Sequence, residues 1–89
     1  MESKVGRSED GRIPKVYTQA VRGLFKQFGY RGRLLVVDDQ LDEVVFLVPA
    51  SALLTIRQQD LCIALQRLLG RKVWIVDASP IWVGQARPF

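Results

Sequence analysis

The chain has no histidine and a single cysteine, Cys62. Without imidazole, the Ser-His-Asp relay, the usual base near neutral pH and most zinc ligand sets are out of reach. One cysteine cannot close an internal disulfide, which points to a reducing compartment. No apolar run approaches the roughly 18 residues of a bilayer span. The opening MESKVGRSEDGRIP lacks the apolar stretch of a secretory signal. A cytoplasmic location is expected on those grounds. Aromatic residues are sparse, at 9%, and they do not alternate with basic residues as in the stacking surfaces of common RNA-binding modules.

What is present suits one small domain. Eighty-nine residues, 48% apolar and 25% charged, are enough for one modest core and not for two. The net charge of +4 is spread along the chain and reads first as a solvated surface.

The stretch Arg33–Val48 organises the rest. Two apolar runs, Leu34–Val37 and Val44–Val48, flank a polar link, Asp38–Glu43. That is the pattern of two strands in a hairpin. The link carries Asp38, Asp39, Asp42 and Glu43. Their spacing matches no calcium loop, so they read as a solvated turn and no metal site is assigned.

Residues 1–13 mix charges, Ser and Gly without periodicity and read as a flexible tail. From Pro14, Val16, Tyr17, Ala20, Val21, Leu24 and Phe28 recur at helical spacing, with Lys15, Gln19, Arg22 and Lys26 opposite. Gly29 is placed to end that helix in a left-handed conformation. Thr55 and Gln58 form a capping-box pattern, predicting a second helix to Leu69 with Leu61, Ala64, Leu65 and Leu68 inward and Ile63 outward. Cys62 reads as a small packing residue. Gly70 closes the helix, Lys72–Asp77 is a third strand, and Ile81–Val83 leaves room for a short fourth. Residues 85–89 read as a loose tail, which leaves 14–84 as the domain.

The predicted fold is α/β of the α+β type. It is a small two-layer sandwich, ordered α-β-β-α-β, with a mixed sheet of three to four strands and two helices. Each strand is apolar on both faces, whereas two helices cover about one face of such a sheet. Something else must cover the second face, most simply a second copy of the chain. The interface candidates are Phe46, Trp74, Trp82 and Ile63.

One passage resembles the minimal nucleotidyltransferases. Asp60–Val73, DLCIALQRLLGRKV, is similar to their helix-to-strand passage. Phe28-Gly29 with Arg31 and Arg33, followed by acids before a hydrophobic strand, is similar to their phosphate-binding turn and carboxylate strand. The chain departs from that family in three places. Tyr30 stands where the family has Ser, Asp39 and Asp42 are three apart instead of two, and Trp74 replaces an acid. The resemblance implies a degenerate, inactive relative, with Asp39, Asp42 and Asp77 as conceivable ligands.

Three functions follow as expectations. The first is a non-enzymatic protein-interaction module, homodimeric or part of a complex, with no catalytic residue and no cofactor. The second is a nucleic-acid-binding protein using Lys15, Arg22, Lys26, Arg31 and Arg33, with Arg71 and Lys72 near the strand ends. The third is the degenerate nucleotidyltransferase-like domain.

Overall fold

The computed structural model describes residues 12–39 and 42–89. A 3-10 turn at Lys15–Tyr17 leads into α1, Thr18–Gln27. The hairpin strands are β1, Leu35–Val37, and β2, Glu43–Val48. Next come a single turn, α2, Ala50–Leu53, and α3, Gln58–Leu69. The chain continues with β3, Lys72–Asp77, a turn of helix α4, Pro80–Val83, and β4, Arg87–Pro88. The sheet order is β3-β2-β1-β4, with β2 and β3 parallel and the other neighbours antiparallel. The two-layer α/β sandwich with a mixed sheet is therefore the observed fold, and the hairpin lies at its centre.

Strand alternation divides the apolar residues between the faces. Leu34, Val36, Val44, Phe46, Val48, Val73 and Ile75 meet Val21, Phe25, Leu61, Leu65 and Leu69 from the helices. Phe46 is fully buried here, with Phe25 and Phe89 edge-on at 5.3 and 5.5 Å. It is a core residue and not an interface candidate, because its side of β2 is the helix side.

The second face is closed within the chain more fully than the strand count suggests. Val37, Val45 and Leu47 are buried there, with Leu35, Val76, Trp82 and Ala86 packed around them. The passage after β3 provides this cover. Ile81–Val83 lies within α4, since Pro80 opens a helical turn. The fourth strand comes from the expected loose tail: Arg87 pairs with Val36 and Pro88 with Leu35. Trp74 remains 47% exposed at the margin.

Local chemistry sets the helix ends. After α1, Gly29 takes φ 108°. Its N–H bonds Lys26 O, and the Tyr30 N–H bonds Phe25 O. That is a Schellman closure, with the rings of Phe25 and Tyr30 as its apolar contact. The inward stripe of α1 runs through Tyr17, Val21, Leu24, Phe25 and Phe28, while Val16 is 81% exposed. Val16 sits in the 3-10 turn, where three residues per turn shift the helical phase. Ile13 is a core residue, so the domain begins before Pro14; the expected tail otherwise falls outside the described residues.

Thr55 does not cap α3. Its hydroxyl donates to Ala52 O at the end of α2, and the helix begins at Gln58.

The outer edge of β3 is shielded by α3. The Val73 N–H donates to Gln66 Oε1, and the Ile75 N–H donates to the Cys62 sulfur. An uncovered edge would invite pairing with another chain. Burial pushes the Cys62 thiol up and the Ile75 N–H pulls it back in part, which suits a packing cysteine.

Candidate functional site: a basic groove beside a buried ionic knot

The charged residues separate into two groups. The first sits against the core, with Asp38 and Arg71 buried and the Arg87 side chain 35% exposed. Asp38 is 4% exposed and accepts from the Ile13 N–H at 2.7 Å. Arg87 reaches both of its oxygens, with Nε at 3.1 Å and Nη2 at 2.6 Å. This two-pronged geometry is the strong form of the pair. Arg71, also 4% exposed, donates to the main-chain oxygens of Asp38 and Glu43. The acidic turn is thus not uniformly solvated. Asp38 continues the core-facing phase of Leu34 and Val36, so it points inward, whereas Asp39, Asp42 and Glu43 are exposed. Arg71 is withdrawn from the nucleic-acid-binding set because the core uses it.

The second group lines a groove. Arg22 and Lys26 lie one helical turn apart on α1. Arg31 and Arg33 flank Gly32 in the turn into β1. Together with Tyr30 and Phe89 they line a hollow of about 530 Å³, and none of the described residues lining it is acidic. Tyr30 shapes the turn. Its hydroxyl donates to Arg33 O, and its ring folds over Gly32 so closely that a side chain at that position would collide with it. Burial pushes the Tyr30 phenol up. On the opposite wall, Arg22 donates to the main-chain oxygen of Phe89 at 3.0 Å.

Lys15 lies in a second hollow, of about 600 Å³, with Arg12, Thr18, Gln19, Arg87 and Phe89. Phe89 borders both hollows, which therefore lie side by side. Four of the five sequence-derived basic candidates therefore share one groove, and the fifth lies next to it.

The remaining candidates are scattered. Ile63 is 43% exposed on the outer side of α3. Trp74 and Trp82 meet on the second face with Val45, Val76 and Glu43 around a smaller hollow of about 240 Å³. The Trp74 indole N–H donates to Glu43 at 3.3 Å, and the Lys72 ammonium lies 5.8 Å from the ring centre.

The conceivable metal ligands do not converge. Asp42 adjoins Glu43, which pairs with Lys72 at one end of β2, whereas Asp77 pairs with Val48 at the other. At about 3.3 Å per residue these ends are roughly 16 Å apart. Among the described residues no group of three or more acids, cysteines or histidines could hold a metal ion. No family model, no curated protein and no solved structure matches the chain.

Proposed function

We propose that this domain is a non-enzymatic binding module that engages the phosphate backbone of nucleic acid through the groove between α1 and the Tyr30–Arg33 turn. One observation carries the reading: Arg22, Lys26, Arg31 and Arg33 line a single hollow, and none of the described residues lining it is acidic. A concave surface of one sign concentrates the field and attracts polyanions. Like charges gathered this way do not stabilise a fold, so a ligand is the better account of them. The net charge of +4 acts in the same direction. A reducing, cytoplasmic setting suits the single cysteine.

The test compares two charge removals. Arg31→Ala with Arg33→Ala should abolish most oligonucleotide binding in a fluorescence anisotropy titration. Arg67→Ala, on the exposed side of α3, should change it little. Equal effects from both would leave only non-specific charge attraction.

A second reading rests on Trp74. Half-exposed beside Trp82, Val45 and Val76, it is the apolar opening left on the second face and suits a homodimer or protein contact. Trp74→Lys should then lower the sedimenting mass at tens of micromolar protein. An unchanged monomer would remove this reading.

A further inference from the structure

The proposed function leaves open which form of nucleic acid is bound. Resting on that reading, we propose that the groove takes a single strand, its phosphates along α1 and its bases stacked on Tyr30 and Phe89. The cations occupy a hollow, not a projecting element. A duplex is read by a helix or ribbon entering its grooves. Here α1, the turn and the Pro88–Phe89 segment instead enclose a space of about 530 Å³, within the roughly 300–1,000 Å³ range of small-molecule pockets. A splayed-out nucleotide suits that space; a double helix does not.

The lining also combines the two elements of single-strand recognition, a cationic track and aromatic rings. Tyr30 and Phe89 both line the groove and both are half-buried, leaving part of each ring accessible. Phe89 separates the groove from the Lys15 hollow, so cations lie on both sides of it. Lys15 in the 3-10 turn is followed by Gln19, Arg22 and Lys26 on α1, a run of about 16 Å at about 1.5 Å per residue. A stacked strand, advancing about 3.4 Å per nucleotide, would lay about five phosphates along that length. The rings interleave with the cations only in three dimensions, because Phe89 arrives from the far end of the chain through β4.

The experiment uses the full chain and three fluorescent or competing ligands at one low salt concentration. They are a single-stranded oligopyrimidine of about ten nucleotides, a duplex of the same length, and inorganic polyphosphate of similar charge. The strand should bind at least about ten-fold more tightly than polyphosphate and more tightly than the duplex. Tyr30→Leu and Phe89→Leu should each weaken strand binding by about 5- to 150-fold, the range for loss of one stacked base. For Phe89→Leu, polyphosphate affinity should stay within about two-fold, since the charges and the turn shaped by Tyr30 remain. Tyr30→Phe keeps the ring and should keep the preference for the strand. Thermal unfolding establishes that each variant is folded; should one ring variant not fold, the other carries the comparison. A duplex bound as tightly as the strand, or polyphosphate bound as tightly, overturns the single-strand assignment while leaving phosphate binding by the groove intact. No binding to any of the three overturns the underlying function as well.

Discussion

Arg71 and Arg87 differ from Arg22, Lys26, Arg31 and Arg33 in fate, not in charge. The first two are tied to Asp38 and the main chain at one end of the sheet. The other four line an open groove with no acid among its described lining residues. Breaking a buried charge pair leaves an uncompensated ion in a poor solvent. Removing Lys26, Arg31 or Arg33 leaves water where water already was, whereas Arg22 also holds the main-chain oxygen of Phe89. The two sets should therefore separate cleanly, with stability on one side and binding on the other.

The largest effect should come from Asp38→Ala. It leaves the Ile13 N–H without its acceptor and the Arg87 guanidinium, 35% exposed, to be met by water, at a cost of about 2–3 kcal/mol in urea unfolding. A loss below about 1 kcal/mol would mean that the knot is as weak as a surface pair. Next, Arg71→Leu removes the donor to the main-chain oxygens of Asp38 and Glu43, and the same measurement should show a loss of about 2 kcal/mol. Converting Asp38 and Arg87 to Leu together should cost less than the sum of the single changes, because neither charge is then left alone. Strict additivity would show that the two do not act as a pair. At the small end, Arg31→Ala with Arg33→Ala should shift unfolding by no more than about 0.5 kcal/mol. A large destabilisation there would make these arginines structural and the groove incidental.

Period-two alternation made much of this architecture legible. It divided Leu34 and Val36 from Leu35 and Val37, and Phe46 from Val45, without error. The same rule, carried one step beyond each strand, reaches the charged residues that composition disguised. Asp38 follows Leu34 and Val36, Arg71 precedes Val73 and Ile75, and Arg87 precedes Phe89, all on the helix side of the sheet. Reading the acids as a turn hid that phase. The cover of the second face was harder to see. Trp82 and Ala86 lie in a passage interrupted by Pro80 and Gly84, whose fold depends on docking and not on local preference. β4 is only two residues long and contains Pro88, a poor strand former whose place at a sheet edge is set by tertiary contacts.

The basic candidates were legible one at a time but not as a site. Helical spacing put Arg22 and Lys26 on one side of α1, and the glycines marked the turn that carries Arg31 and Arg33. Their convergence depends on the Schellman closure at Gly29, which directs Tyr30 back toward Phe25. The aromatic contribution needed Phe89, 59 positions after Tyr30 in the chain (89 − 30), and no local pattern announces that encounter.

The salt dependence of single-strand binding tests the central claim most directly. If four groove cations replace counterions on the strand, the logarithm of the association constant should fall against the logarithm of salt concentration with a slope near about −2.8, at about −0.7 per phosphate neutralised. The Arg31→Ala and Arg33→Ala pair should reduce that slope by about half. A slope near zero, or one that the double substitution leaves unchanged, would contradict the assignment of the groove as the binding surface.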